Sequence, residues 1–334
     1  MNYIGSKYKL LNFIKNTIYS VVGQNLSDKV FCDIFAGTGV VGRSFKCEVK
    51  KIIANDSEYY SFVLNKNYIE NHCELLDKEH YLNELNNLPL IENGFIYQNY
   101  CIGANGLRQY FSDFNGKKID AVRTKIEQWK NKNIISANLY FFLLASLLES
   151  ADRVANTASV YGAYLKKLKK TAQKKLILQP AIFELSENKH EVYLSDSNDL
   201  IKKINGDILY LDPPYNARQY GANYHILNTL AKYENFIPKG KTGLPLYEKS
   251  KYCSKNLVQN QLEDLLKNAN FKYIFLSYNN EGLMSVAQIR KILEKYGRYD
   301  LHTTYYQRFK ADKTENRNHK ADYTNEFLHI LEKN

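Results

Sequence analysis

Residues 29–42 read KVFCDIFAGTGVVG, an apolar run of strand type that ends near an acid and continues into a glycine-rich turn. Gly37 and Gly39 supply the backbone freedom that a tight turn needs. A short helix is expected next, and a second apolar run, residues 51–54, ends just before Asp56. Two strands that are each followed by a helix are typical of a doubly wound parallel sheet.

Two later apolar runs continue this pattern. Residues 207–211 lead directly into the Asp-Pro-Pro-Tyr sequence at 212–215, and residues 273–278 precede a further helical stretch. The last part of the sequence, residues 299–310 and then 326–330, fits a closing β-hairpin. The sequence therefore predicts an α/β fold in which four strands and a hairpin belong to one sheet.

Residues 66–188 interrupt this alternation of strands and helices. They read as mostly helical, and we interpret them as an inserted domain, since 334 residues correspond to about two domains. Residues 1–65 and 189–334 then form the catalytic domain. The helical candidates in the insert are 117–130, 134–153 and the lysine-rich stretch 164–176.

The composition limits the class of protein. With 44% hydrophobic and 24% charged residues, the chain is globular rather than disordered. Its net charge of +11 and its 28 tyrosines suit a nucleic-acid partner, because lysines neutralise phosphates and aromatic rings stack on bases. A soluble enzyme that is simply rich in Lys and Tyr explains the same numbers, and composition alone does not separate the two.

Cysteine spacing and hydropathy exclude other classes. The five cysteines include no Cys-x-x-Cys pair, so a zinc ribbon, a thioredoxin-like site and a zinc deaminase are unsupported, and no bound metal is expected. The first ten residues have no apolar signal core, and the longest apolar stretch, 139–148, is too short to span a bilayer. We therefore expect a cytoplasmic, nucleoid-associated prokaryotic protein with reduced thiols and no membrane partner.

The glycine loop admits three interpretations. The G-x-G-x-x-G pattern at 37–42, with Asp56 19 residues beyond its start, matches a dinucleotide fingerprint. A P-loop needs lysine where Arg43 stands, and a plain tight turn needs no ligand at all. Asp33 argues against a pyrophosphate, because a carboxylate repels it. S-adenosylmethionine has no phosphate and carries a cationic amino group, and Asp56 suits a pair of ribose hydroxyls.

The sequence at 212–215 is suited to holding an exocyclic amine. Two prolines stiffen the loop and supply carbonyls without N–H groups. Asp212 and the Pro213 carbonyl can accept the two protons of the amine, which directs its lone pair at a methyl group in line. The carboxylate then stabilises the positive charge that develops on the amine, and Tyr215 can stack on a base turned out of its duplex. A proline turn capped by Asp212 is the structural alternative.

Together these motifs resemble N6-adenine-specific DNA methyltransferases of the α-group class that includes Dam and the FokI-type modification methylases. Residues 3–7, YIGSK, are similar to the N-terminal cofactor motif of this family, residues 33–39, DIFAGTG, to its D-x-F-x-G-x-G loop, and residues 212–215 to its catalytic motif. Asp56 matches the acid that binds the ribose, and Asp196 the acid that contacts the cofactor adenine. Asp rather than Asn in the catalytic motif favours DNA adenine over the protein-glutamine and RNA branches.

This resemblance implies a Rossmann-like sheet of the S-adenosylmethionine-dependent methyltransferases, with an inserted, mostly helical target-recognition domain at 66–188. It implies a catalytic set of Asp212, Pro213, Pro214 and Tyr215. The implied cofactor-binding residues are Tyr3, Lys7, Asp33, Phe35, Gly37, Thr38, Gly39, Asp56, Asp196 and Asp212.

Basic and hydrogen-bonding side chains indicate where DNA binds. The lysines of 164–176 alternate with apolar residues and predict an amphipathic helix, although a solvated helix face explains them equally well. Arg153 and Asn156 are candidates for reading base edges, with an Asp152–Arg153 ion pair as the alternative. The predicted DNA-binding residues are Arg153, Asn156, Lys166, Lys167, Lys169, Lys170, Arg218, Arg308 and Lys310.

The sequence thus predicts a site-specific DNA adenine-N6 methyltransferase that acts on a flipped-out adenine in double-stranded DNA. It is then either the modification enzyme of a restriction-modification system, with a cognate endonuclease as its functional partner, or an orphan methylase. The alternatives are an RNA adenine-N6 methyltransferase, a non-catalytic DNA-binding module on a methyltransferase scaffold, and a nicotinamide-dependent dehydrogenase.

Overall fold

A computed structural model of the chain describes residues 5–103, 107–307 and 323–334, and these divide into two compact units. The sheet unit consists of residues 6–57, 188–219 and 249–334. The helical unit contains residues 58–187 and 220–248. None of the described helices has the length and the apolar character needed to cross a membrane.

The strands of the sheet unit are, in chain order, β1 (Val30–Asp33), β2 (Lys51–Asp56), β3 (Glu191–Leu194), β4 (Asn205–Leu211), β5 (Asn270–Asn279), β6 (Gly297–Gln307) and β7 (Tyr323–Lys333). They form one sheet in the order β3-β2-β1-β4-β5-β7-β6. The first five strands are parallel, and β7 is antiparallel to both β5 and β6. The predicted α/β class, the parallel sheet and the closing hairpin are therefore confirmed.

One strand was not predicted from the sequence. β3 has only four residues, and all of them are half-buried or exposed, so it lacks the continuous apolar run that marks the inner strands. It lies at the edge of the sheet beside β2.

The helices are, in chain order, α1 (Leu11–Val22), α2 (Val40–Ser44), α3 (Tyr59–Asn65), α4 (Lys78–Asn87), α5 (Phe95–Tyr100), α6 (Asp113–Asn131), α7 (Ala137–Val154), α8 (Ser197–Leu200), α9 (Tyr220–Asn223), α10 (His225–Lys232), α11 (Val258–Asn268) and α12 (Val286–Leu293). Helices α3 to α7, α9 and α10 belong to the helical unit, and the others to the sheet unit.

Strand register sorts the side chains of the sheet onto two faces. Cys32 pairs with Leu209, and both belong to an apolar cluster that includes residues of α11 and α12. Asp33 pairs with Tyr210, one residue further along each strand, so these two side chains lie on the opposite face. Polar groups at the carboxyl ends of β1 and β4 thus share one face of the sheet.

Two of the three predicted helices of the insert are confirmed as α6 and α7, which correspond to the candidates at 117–130 and 134–153. Each begins at a serine, Ser112 or Ser136, whose side chain accepts an N–H of the first turn. Their apolar faces join the core of the helical unit.

The prediction of an amphipathic helix at 164–176 is wrong, because these residues adopt turns and irregular structure. The Asn156 amide donates to the Leu165 carbonyl and accepts the Lys169 N–H, both of which an α-helix would need for its own ladder. Side-chain amides that bind the main chain in this way compete with helix formation. The alternation of lysines and leucines therefore lies in a loop and not in a helix.

Tyrosines supply much of the core of the helical unit. Tyr100, Tyr110, Tyr161 and Tyr224 are fully buried. His225 is buried beside them and its Nε2 lies 3.0 Å from the Tyr161 carbonyl oxygen. Burial lowers the pKa of His225 to about 4, so its ring is neutral at pH 7. A large part of the aromatic content thus has a packing role.

The helical unit also takes in residues 220–248, which follow the 212–215 motif and which the sequence assigned to the catalytic domain. Within this segment Lys239 and Leu244 form an isolated antiparallel bridge. Tyr100 donates its hydroxyl to the Gly243 carbonyl at 2.7 Å, which fixes the turn to the rest of the unit. The division into catalytic and target-recognition domains remains a prediction.

Candidate active site

The first part of the site forms where β1 ends. Asp33 is 1% exposed, and its Oδ2 accepts a hydrogen bond from the Gly42 N–H at 3.0 Å. Gly37 and Gly39 have φ values of 53° and 73°, so the chain turns sharply between Asp33 and α2. The other carboxylate oxygen of Asp33, Oδ1, has no hydrogen-bond partner among the described residues. A buried oxygen without a donor indicates a place for an N–H-bearing or cationic ligand.

Asp56 ends β2 beside the glycine turn, and its Oδ2 accepts the Gly37 N–H at 2.8 Å. The preceding residue, Asn55, is 1% exposed and donates its amide to the carbonyls of Ile34 and Ser195. Its own carbonyl accepts the Ser195 N–H. Asn55 thus ties together the ends of β1, β2 and β3, so the acids that follow these strands are held at one edge of the sheet.

Three further predicted cofactor residues, Asp196, Phe35 and Thr38, each have different contacts. Asp196 follows β3, and its Oδ1 accepts two N–H groups of α8 at 2.8 and 3.2 Å. Phe35 packs edge-on against Tyr252, with ring centroids 5.0 Å apart, and Thr38 is half-buried in the glycine turn. The prediction for Tyr3 falls outside the described residues.

Asp212, the residue directly after β4, forms an ion pair with Lys7. The Lys7 Nζ lies 2.9 Å from Asp212 Oδ1, and the two side chains are only 5% and 18% exposed. The same ammonium lies 5.6 Å from the centroid of the Tyr215 ring. Lys7, near the start of the sequence, and the motif at 212–215 therefore meet in the sheet unit.

The loop that carries Tyr215 is fixed by its neighbours. The Tyr215 carbonyl accepts the Leu283 N–H at 2.8 Å, and its ring packs edge-on against Tyr278 at a centroid distance of 6.1 Å. Pro213 is buried and Pro214 half-buried, and neither has a main-chain N–H to satisfy. A rigid loop of this kind suits a site that must hold a base in one orientation.

Burial and charge shift the titration of these groups. Burial raises the pKa of the Asp33 carboxyl to about 7 against the pull of the Gly42 N–H, and the charges of Asp212 and Asp56 add to the rise. Burial also raises the pKa of Asp212, with the Lys7 ammonium opposing it. Burial by itself would lower the pKa of Lys7, but Asp212 together with Tyr210, Tyr215 and Glu326 outweighs this effect and holds the pKa well above its ordinary value. Lys7 is therefore a permanent cation.

The structure adds Glu326 of β7 to this region, which the sequence interpretation did not include. Glu326 is 7% exposed, and its Oε1 lies 3.5 Å from the Asn279 amide nitrogen at the end of β5. The sequence of β7 did contain a signal, because Glu326 alternates with Leu328 and Ile330, which are buried. An acid on the same face as buried apolar residues is a candidate functional residue.

A cavity of about 780 Å³ opens beside the Tyr215 loop. Its lining includes Asn279, Leu283 and Phe327 and is rich in amide side chains. No residue of the predicted site lines it, but Leu283 connects it to Tyr215 through the hydrogen bond described above.

Arg153, the predicted DNA-binding residue of α7, lies on the surface. It is 56% exposed and 3.8 Å from Glu149, one helical turn earlier. The neighbouring Asp152 accepts the hydroxyl of Tyr161 at 2.8 Å. Arg153 is therefore accessible to solvent, and its contact with DNA stays a prediction.

Asn156 is corrected from a candidate DNA contact to a structural residue. It is fully buried, and its amide donates to the carbonyls of Gln109 and Leu165, both at 2.9 Å. Its side-chain oxygen accepts the Lys169 N–H at 3.0 Å. Both amide protons and the carbonyl are thus bound to main chain, and no group is left for a base edge.

The remaining basic residues that the sequence predicted to bind DNA are either bound to the protein's own main chain or exposed. Lys169 is half-buried and donates its ammonium to the Thr157 carbonyl at 2.7 Å, so it stabilises the loop. Arg218 is exposed, and so are three of the lysines, namely Lys166, Lys167 and Lys170. Arg308 and Lys310 lie outside the described residues.

Comparison with known proteins agrees with this architecture. Residues 3–292 match the model of a family described as D12 class N6 adenine-specific DNA methyltransferase. The chain belongs to this family, and it is an enzyme that methylates adenine in DNA.

Relatives of known name support the same assignment. The type II methyltransferase M.NlaIII of Neisseria lactamica is 64% identical over 333 residues, which cover 100% of this chain and 99% of the relative. M.CviAII of Paramecium bursaria Chlorella virus 1 is 37% identical, with 93% of each chain covered. M.FokI of Planomicrobium okeanokoites is 36% identical over 100% of this chain but only 53% of its own, longer sequence.

Proposed function

We propose that S-adenosylmethionine is the methyl donor and that the carboxyl ends of β1, β2 and β3 bind it. The observation that carries this proposal is the buried, unpartnered Oδ1 of Asp33, since the amino group of this donor is a cation with N–H groups. Asp56 offers a carboxylate to ribose hydroxyls and Asp196 one to the cofactor adenine, while Gly37 and Gly39 keep side chains out of the turn. When bound, the cofactor supplies an activated methyl group.

We propose that Asp212, Pro213 and Tyr215 hold the target adenine. Asp212 and the Pro213 carbonyl accept the two protons of the N6 amine, and Tyr215 stacks on the base. The ionised carboxylate stabilises the positive charge that develops on the amine, so no strong base is needed before transfer. The Lys7 ammonium lies 2.9 Å from Asp212 Oδ1, so the amine and the ammonium approach the same carboxylate.

Residues 66–188, which form most of the helical unit, are proposed as the target-recognition domain for double-stranded DNA. The side chains best placed for contact are the exposed Arg153, Lys166, Lys167 and Lys170, with Arg218 beside the catalytic loop. Lysines of this kind bind phosphates and give affinity without sequence preference. Tyr3, Arg308 and Lys310 remain predictions from the sequence alone.

We further propose that the protein is the modification enzyme of a restriction-modification system. Relatives named type II methyltransferases, such as M.NlaIII and M.CviAII, support this assignment. Its functional partner is then an endonuclease that cuts the same site when unmethylated. Mapping N6-methyladenine in DNA from cells that express the chain identifies the site, and protection from an endonuclease of that specificity tests the role.

The catalytic assignment is tested with Asp212→Ala. We expect methyl transfer to be abolished while calorimetric binding of S-adenosylmethionine survives, since Asp33 and Asp56 are unchanged. Asp199→Ala is the matched control, because this carboxylate is 69% exposed and its ion pair with Lys202, at 3.9 Å, lies on the surface. Full activity in Asp212→Ala would refute the mechanism.

A further inference from the structure

Glu326 is a buried acid whose environment needs an explanation. It is 7% exposed, and its contact with Asn279 is at the long limit of a hydrogen bond, 3.5 Å. Its second oxygen, Oε2, is buried and has no hydrogen-bond partner within the described part of the chain. Native proteins rarely leave a buried carboxylate oxygen unpaired unless a ligand or a moving group uses it.

Sheet register places Glu326 on the same face as the catalytic acid. Glu326 pairs with Asn279 across β5 and β7, and Tyr210 pairs with Phe275 across β4 and β5. Alternate residues of a strand share a face, so Asn279 lies on the face of Phe275, and Asp212 on that of Tyr210. The Glu326 carboxylate and the Lys7–Asp212 pair are therefore on one side of the sheet, at its carboxyl edge.

The charges of this face act on one another. Burial raises the pKa of Glu326, the Lys7 ammonium opposes that rise, and Asp212 adds to it. The carboxylates of Asp212 and Glu326 both favour the charged form of Lys7, and so does the Tyr210 ring at the end of β4. Lys7 is thus a buried cation that both acids influence, and it is in direct contact with Asp212.

In the proposed mechanism the adenine amine joins Lys7 at the Asp212 carboxylate, whose Oδ1 lies 2.9 Å from the Lys7 Nζ. A buried ammonium that leaves its partner without finding another is strongly disfavoured. Oε2 of Glu326 is an acceptor on the same face with no bond to lose. We propose that Glu326 is a positioning residue that accepts the Lys7 ammonium when the target adenine displaces it from Asp212. This inference rests on the proposed role of Asp212.

The test uses the full-length protein and a duplex that carries its mapped methylation site. Glu326→Gln keeps the size of the side chain and removes its charge. We expect the single-turnover methylation rate to fall about tenfold, the size of coupling seen between neighbouring charged groups. The fluorescence of 2-aminopurine at the target position should stay at the wild-type level, because this analogue has no N6 amine and does not displace Lys7 from Asp212. Dissociation constants for S-adenosylmethionine and for the duplex should stay unchanged.

Three further variants separate positioning from a simple structural defect. Glu326→Asp should restore part of the rate. In a Lys7→Gln background, Glu326→Gln should have little further effect, because the cation that needs the second acceptor is gone. Glu332→Gln is the control on the same strand, since this acid is 41% exposed and 3.8 Å from Lys272, and it should behave as wild type.

The outcomes that overturn the inference are specific. A wild-type single-turnover rate in Glu326→Gln would refute it. An equal loss in both Lys7 backgrounds would show a structural role for Glu326 that does not involve the Lys7 ammonium. Full activity in Asp212→Ala would instead refute the proposed catalytic function, so the two failures are distinguishable.

Discussion

Replacing Asp33 with Asn removes a buried ionisable group without changing its size, and the expected effect on stability is opposite to that of most core substitutions. The pKa of Asp33 rises from 3.8 to about 7 in the folded protein because the carboxyl is buried. A shift of about three units corresponds to about 4 kcal/mol at 1.4 kcal/mol per unit. The pKa of Asp33 is higher in the folded protein than in the unfolded one. The contribution of Asp33 to wild-type stability is therefore fully present below about pH 4 and is lost as the pH rises towards 7.

The amide that replaces the carboxyl in Asp33→Asn does not titrate, so the stability of this variant should not decrease in the same way as the pH rises. Its free energy of unfolding, relative to wild type, should increase by about 3 kcal/mol between pH 5 and pH 8. Urea unfolding of both proteins without cofactor, followed by circular dichroism, measures this difference, and any unpaired amide proton of the new side chain adds only a constant offset. Asp300→Asn, at a side chain that is 63% exposed, is the control. Parallel stability curves for wild type and Asp33→Asn would refute the reasoning.

Two predictions concern the helical unit. Replacing Lys166, Lys167 and Lys170 together with Gln should reduce the slope of log affinity for duplex DNA against log salt by about 2–3, because each phosphate contact contributes about 0.9; an unchanged slope in a filter-binding titration would place the DNA elsewhere. Asn156→Ala should lower the free energy of unfolding by about 1–3 kcal/mol in urea titrations, since it leaves buried main-chain groups unpaired, whereas a base-reading Asn156 would alter specificity with stability intact.

Sequence patterns predicted the sheet unit well because its signals are local. Strands β1 and β4 are short apolar runs that lead into the acids Asp33 and Asp212, so strand and candidate site are read from the same few residues. The half-exposed strand β3 has no such run and was missed. The prediction of a helix in the lysine-rich stretch was wrong for a different reason. Its periodicity suggested a helix, but the side chain of Asn156, outside this stretch, binds its main chain.

The site was predictable in its parts but not in its pairings. The sequence indicated Lys7 and Asp212 separately, and only the fold shows that they form one buried ion pair at 2.9 Å. Glu326 belongs to no motif, and its importance depends on which face of β7 it occupies and on what lies across the sheet. Contacts of this kind join residues from distant parts of the chain, and no local pattern encodes them.

The electrostatics of the sheet unit couple the two proposed ligands. Asp33 is buried, one of its oxygens is unpaired among the described residues, and its pKa is raised to about 7, so a fraction of the protein molecules carry it neutral at pH 7 and a cationic ligand favours its ionised form. The carboxylate of Asp212 raises the pKa of Asp33, because the two negative charges repel each other. A cation bound at Asp33 would offset this repulsion and favour the ionised Asp212 that the proposed capture of the adenine amine uses. Cofactor binding should therefore strengthen the capture of the target base, and by linkage a bound base should strengthen cofactor binding by the same factor.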